Sequence, residues 1–280
     1  MKYITSQISA IGSPFFCKTD TGLGNVLFQI ASVYGISKKL GIECTFPRIK
    51  IYTQLLKDNF NYNHGTTILR NVPILDKEIE FDIIHETFLN DGKEWNKIYN
   101  TELIKCIDDS PKNISIQGHL ENHNYFSHIY DDIKEMFSCD EITLNTIHER
   151  YSDIFNSSTN TVAVHFRDYS KVNNPFLIID PNYYINAIDY IKQRVNNPLF
   201  LIFTDNKDCV DISIFGNSNF QFMKNEVDYI DLYCMSMCKH NIMSASTFSW
   251  WASFLNKNPN KIILYNKVYY YEYLKMFIPI

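Results

Sequence analysis

The cluster His165-Phe166-Arg167-Asp168-Tyr169 directly follows the apolar run TVAVHF at 161–166. A guanidinium at that point can fork onto a diphosphate and neutralise the charge that grows on a departing phosphate oxygen. The same residues also fit a surface Arg–Asp pair above a satisfied core histidine. Two further apolar runs end in Thr204-Asp205-Asn206 and in Ser244 to Phe248. In the second stretch Ser246 and Thr247 can cap a helix whose N–H groups face a diphosphate, and a plain N-cap explains them equally well. Near the start, Gly22-Leu23-Gly24-Asn25 sets two glycines before a helix, as an anion cradle or as an ordinary tight turn. The dinucleotide fingerprint fails there, because Leu27 stands where its third glycine belongs and no clear strand precedes the loop.

Other chemistries find less support. His119 and His123 are four apart, but they follow a strand-like run and lack the His-Glu-x-x-His order of zinc proteases. The chain has no Asp-x-Asp pair to hold a divalent ion on a diphosphate, and no Gly-x-x-x-x-Gly-Lys-Ser/Thr phosphate loop. No metal or other cofactor is expected. A net charge of -5 and a pI near 5.9 argue against nucleic acid as a partner, which needs clustered Lys and Arg. Seven scattered cysteines without a Cys-x-x-Cys pair indicate neither a disulfide framework nor a thiolate zinc site. The opening MKYITSQISAIGSPFF lacks the apolar core of a signal peptide, and no run of about 18 apolar residues follows. A cytoplasmic, reducing setting without a transmembrane segment is the expectation.

These side chains need a scaffold that gathers them. From Thr161 onward the chain reads as strands alternating with helices, the pattern of a parallel sheet covered on both faces. The expected strands are 161–166, 199–203, 220–222, 240–244 and 261–265. The helices between them start after Asp180-Pro181, after Asp205, at 228–239 and at 247–256. Ligands of open α/β sheets bind beyond the carboxyl ends of the strands, where His165, Arg167, Asp168, Asp205 and Ser246 to Phe248 all fall. The first half is less regular: a helix over 26–40 ended by Gly41, a strand at 113–118 and a helix over 123–137. The polar stretch 151–160 is the preferred hinge, giving domains 1–155 and 156–280.

Taken in order, four blocks resemble the α-1,2-fucosyltransferase family of inverting glycosyltransferases. GLGNVLFQIA (22–31) is similar to that family's opening, with Val26 in place of Gln. IQGHLENHNYF (116–126) resembles its Gly-Tyr-x-Gln-Ser-x-x-Tyr-Phe segment, with His119 and Glu121 replacing Tyr and Gln. VAVHFRDYS (162–170) matches the His-x-Arg-Arg-Gly-Asp-Tyr block in part, and DLYCMSMCKHNIMSASTFSWWASFLN (231–256) matches closely. The resemblance implies an α/β, GT-B-like fold of two Rossmann-like lobes, with a parallel sheet in the C-terminal lobe that holds GDP. It implies GDP-fucose as donor and a glycan acceptor received by the N-terminal lobe. Carried over by position, Arg167 grips the diphosphate with His165 in support; the carboxylates to test as a base, if one is needed, are Asp168 and Glu121. Ser246, Thr247 and Phe248 line the nucleotide pocket; Asp205, placed by the strand-edge argument and not by the resemblance, is a further donor-binding candidate. Asp231 reads guanine, and Gly24 and Asn25 close over the donor. Where the family has Arg-Arg-Gly-Asp this chain has only Arg167-Asp168, so one of two positive charges is missing unless Lys171 supplies it. Two readings compete with fucosyl transfer: a non-catalytic GDP-sugar or glycan binder, and a transferase for another GDP-sugar.

Overall fold

A computed structural model describes residues 2–6, 22–47, 64–75, 79–86, 99–156, 158–169, 179–224, 226–267 and 276–280. Cys17, Thr21 and Lys171 lie outside the described residues, as do 48–63, 76–78 and 87–98. The chain forms two compact units, the first running to Ser138 and the second beginning at Cys139.

The first unit contains β1 (Tyr3–Ser6), α1 (Leu23–Leu40), β2 (Glu43–Cys44), β3 (Phe46–Pro47), β4 (Ile74–Leu75) and β5 (Asp82–His85). It continues with α2 (Thr101–Asp109), β6 (Ile114–Gln117) and α3 (Tyr130–Met136). A four-stranded parallel sheet has the order β2-β1-β6-β5, and β3 pairs with β4 separately. A strand therefore does precede the glycine loop, since β1 is described although its four residues carry little pattern. Gly41 ends α1 at φ 66, the left-handed conformation that glycine adopts without penalty.

One face of α1 meets the 118–126 segment turn after turn. The Gln29 side-chain amide donates to the Gly118 carbonyl at 2.7 Å, and the Ser32 hydroxyl donates to the Leu120 carbonyl at 2.9 Å. Farther along, Gly35 lies so close that an added Cβ would stand 2.7 Å from Cα of Phe126 and nearer still to the Tyr125 carbonyl oxygen. This contact explains why the expected helix over 123–137 is broken. Residues 123–125 and 127–129 form separate 3₁₀ turns, and only α3 is α-helical. The Asn122 side chain caps the first turn at Asn124 N, Phe126 (φ −129) leaves the helical region, and Tyr125 and Phe126 are buried. A continuous helix could not lay both rings and their backbone along α1.

The second unit holds α4 (Glu141–Tyr151), β7 (Asn160–Phe166), α5 (Pro181–Lys192), β8 (Pro198–Thr204), β9 (Asn219–Phe222) and α6 (Asp228–Met237). It ends with β10 (His240–Ile242), α7 (Thr247–Leu255), β11 (Ile263–Tyr265) and β12 (Ile278–Pro279). The sheet is parallel throughout, in the order β12-β11-β10-β7-β8-β9. The five expected strands are present, and β12 adds a sixth. The expected helix after Asp205 is instead two 3₁₀ turns, 207–209 and 212–215, closed by side-chain caps from Asn206 and Asp211. Asp180 caps α5 and Pro181 follows it, as the sequence suggests. The sequence puts the domain boundary at 155/156, whereas the compact units divide at 138/139. α4 goes with the second unit because Arg150 and the Tyr151 hydroxyl bond Glu226, at 2.8 and 2.7 Å.

Buried side chains hold this sheet to its helices. β7 and β8 are nearly continuous apolar runs, as strands buried on both faces must be. The Tyr183 hydroxyl on α5 lies within hydrogen-bond reach of the Met243 carbonyl at 2.7 Å and the Leu264 carbonyl at 3.0 Å, tying that helix to β10 and β11. Trp250 and Trp251 are fully buried in α7, and Trp250 stacks on Phe254. Cys234 and Cys238 are buried as small apolar residues, with burial holding both thiols well above their usual range.

Candidate active site

The strand order reverses direction between β7 and β10. From β7 the chain builds outward through β8 to β9, and from β10 it builds the other way through β11 to β12. Helices on either side of such a switch point leave the sheet to opposite faces, and the carboxyl ends of the two strands there are where open α/β sheets bind ligands. The residues after β7 and β10 are the two clusters singled out in the sequence. They meet directly: the Tyr169 hydroxyl donates to the Ala245 carbonyl at 2.9 Å, and the rings of His165 and Phe248 lie 5.6 Å apart.

His165 is buried in this edge. Its Nδ1 is 2.7 Å from the Ser244 Oγ, and its carbonyl accepts the Tyr184 hydroxyl at 3.0 Å. Burial, with the positive charge of Arg167 adding to it, pushes its pKa down to about 3. A neutral imidazole can orient and donate a hydrogen bond, but it carries no charge to offset a diphosphate.

That charge comes from Arg167, which is about half exposed and reaches Asp205 after β8 with Nη1 2.6 Å from Oδ2. The other Asp205 oxygen accepts the Asp168 backbone N–H at 3.0 Å. Asp168 in turn accepts from the Asn206 side-chain amide at 2.9 Å, and Thr204 Oγ1 bonds the backbone of Asn206. The loops after β7 and β8 are thus joined by a polar chain that sequence separation of nearly forty residues had hidden.

Ser246 adopts extended geometry at the N-cap of α7 and accepts from Phe248 N at 3.3 Å. Its hydroxyl caps the helix, which leaves the phosphate-facing role expected of this segment to backbone N–H groups and the helix dipole. Thr247 and Phe248 occupy that first turn, and no acidic residue stands in it.

Asp231 belongs to a different cluster. It lies in the first turn of α6, where its Oδ1 accepts the Glu226 backbone N–H at 3.4 Å. Burial, reinforced by the like charges of Glu226 and Asp228, raises its pKa to about 7. Gly24 and Asn25 sit in the first turn of α1 in the first unit, where Asn25 N bonds the Gly22 carbonyl at 3.1 Å. Among the described residues no three His, Cys, Asp or Glu side chains come together as a metal cage. His119 approaches Glu121 at 3.9 Å instead of forming a site with His123. No described helix is long and apolar enough to cross a membrane.

Comparison with known proteins identifies the family. The model of Glycosyl transferase family 11 matches residues 22–275. An Alpha-1,2-colitosyltransferase of Escherichia coli is 27% identical, over 84% of this chain and 84% of its own. The O-antigen biosynthesis glycosyltransferase WbnK of Escherichia coli is 24% identical, over 87% of this chain and 90% of its own. The fucosyltransferase NodZ from Bradyrhizobium has a similar fold, with a TM-score of 0.53 over 91% of this chain and 92% of that one at 13% identity. This likeness supports the GT-B-like α/β fold class. With the four sequence blocks and a family match across nearly the whole chain in agreement, the chain belongs to glycosyl transferase family 11 and is a glycosyltransferase.

Proposed function

We propose that this enzyme transfers L-fucose from GDP-fucose to a glycan hydroxyl, α-1,2 to galactose, with inversion and without a metal ion. One observation carries the reading: Arg167 and the first turn of α7 share the carboxyl edge at the β7/β10 switch point. As the sugar C1–O bond breaks, its electron pair passes to the β-phosphate oxygen of GDP. Arg167 and the backbone amides around Ser246, Thr247 and Phe248 neutralise that oxygen, which is the task a divalent ion performs elsewhere. The acceptor oxygen bonds C1 from the opposite face and releases its proton, with Asp168 as the proposed recipient. His165 supports Arg167 as a neutral, fixed neighbour. The parts of Gly24 and Asn25 in holding the donor rest on the family pattern alone, as does the glycan acceptor, and a cytoplasmic setting is proposed only from the sequence expectation.

Asp231 is proposed to read guanine, because an ionised carboxylate accepts both N1–H and the 2-amino group. Only the ionised form does so, and in the free protein it is half populated near pH 7. GDP affinity should therefore fall as pH drops below about 7, approaching tenfold per unit. Asp231→Asn should bind weakly with a flat profile by calorimetry between about pH 6 and pH 8. The stability sign is opposite. A folded pKa above the unfolded value near 3.8 means that Asp231's stabilisation is full below that value and is lost as pH rises through about 7. Asp231→Asn should thus melt higher than the parent at about pH 8. A pH-independent GDP affinity in the parent protein would remove Asp231 from the base site.

The decisive assay is incubation with GDP-fucose and a panel of galactosides, read by mass spectrometry. A fucosylated galactoside is the expected product. The 27% identity to a colitosyltransferase favours one second reading, a different deoxy sugar on the same nucleotide. Product only from another GDP-sugar would move the donor assignment there. GDP binding without turnover on any acceptor would leave a binding protein.

A further inference from the structure

Asp205 lies on the same sheet edge as Arg167, a position from which the sequence suggests a donor contact. Its two oxygens are directed elsewhere. Oδ2 meets the Arg167 guanidinium at 2.6 Å, and Oδ1 accepts the Asp168 backbone N–H at 3.0 Å. Both partners belong to the loop after β7, while Asp205 directly follows β8, the adjacent strand, where Phe166 pairs with Thr204. We infer that Asp205 is a positioning residue: its carboxylate fixes the β7 loop and holds the Arg167 guanidinium at the β7/β10 switch point. This rests on the proposal that Arg167 meets the donor diphosphate.

The physical reason lies in the geometry of arginine. A long side chain that is about half exposed would otherwise sample many rotamers, and binding would have to freeze them. A carboxylate held by its own backbone contact fixes one end of the guanidinium fork. It leaves Nε and Nη2 without another described partner, as two parallel donors for a ligand. Asn206 extends the brace by donating to Asp168, so the loop is held from both its backbone and its side chain. The shortened block gives this brace unusual weight, because no second arginine follows Arg167 to compensate for a misplaced one.

An anionic residue beside a diphosphate also repels it, so three roles predict different signs. A brace should weaken GDP binding when removed, but only while Arg167 is present. A direct ligand should weaken binding whether or not Arg167 is present. A competitor that occupies Arg167 should strengthen binding when removed. The test is a double-mutant cycle of Asp205→Asn and Arg167→Ala, with GDP affinity measured by calorimetry. Asp205→Asn is isosteric and keeps an oxygen for the Asp168 N–H, so the fold is retained. We expect it to cost about tenfold in GDP affinity in the parent and nothing, or a slight gain, in the Arg167→Ala background. Additive losses, or tighter binding by Asp205→Asn alone, would overturn the inference. Amide exchange in nucleotide-free protein gives a second measurement that does not depend on GDP. Asp168 N–H should exchange faster in Asp205→Ala than in Asp205→Asn, and equal exchange in both variants and the parent would also overturn it. If the parent binds no GDP while the exchange result holds, the donor assignment fails and the brace stands.

Discussion

Arg167→Ala is expected to lower turnover about a thousandfold while the protein stays folded. Removing one preorganised donor from an oxyanion-stabilising site commonly costs about 2.7–4 kcal/mol of barrier. The upper end applies here, since the family block has lost its second arginine and His165 is neutral. Against that stands the structural role of Arg167, a partly exposed ion pair with Asp205 worth less than about 1 kcal/mol. Activity and stability should therefore separate cleanly. Arg167→Lys should fall between the two, because it restores the charge without the fork. Near-normal turnover in Arg167→Ala, with a melting temperature close to the parent's, would refute the assignment.

The second large effect concerns stability, far from the chemistry. Gly35→Ala should destabilise the protein by about 3 kcal/mol, although alanine is the better helix former. The intrinsic gain from replacing a helical glycine is about 1 kcal/mol. It is outweighed because the new methyl would overlap the backbone of Tyr125 and Phe126, which cannot swing aside as a flexible side chain could. Gly22→Ala is the matched control: a Cβ there meets nothing within 4 Å, so stability should change little. Urea denaturation compares the three proteins directly. A Gly35→Ala midpoint at or above the parent's would show that the α1 contact with the 118–126 segment is looser than described.

The second unit was legible in the sequence because its elements announce themselves locally. Buried strands such as TVAVHF are short apolar runs, and Asp180-Pro181 and Ser246-Thr247 mark helix starts with side chains that do cap them. What could not be read there was lateral order. Nothing local says that β10 pairs with β7, yet that pairing makes the switch point and brings His165 to Ser244. The Arg167–Asp205 contact was hidden for the same reason, since it requires β8 on the other side of β7. In the first unit the signals were weak. β1 and β5 are four-residue strands with mixed composition, and the Tyr125-Phe126 segment obeys its contact with Gly35 instead of its helical pattern. The family blocks at 22–31 and 116–126 looked like separate motifs, but Gln29 bonded to Gly118 makes them two sides of one contact.

That contact also sets a timetable. Gln29 and Gly118 are 89 positions apart, and β1 pairs with β6, which begins only at Ile114. On the ribosome, α1 is made early but has no partner for its face until residues beyond 118 have emerged. During that interval its apolar side chains lie open to water or to other chains. The first unit thus cannot close that face until its own last strand and the segment after it have been made.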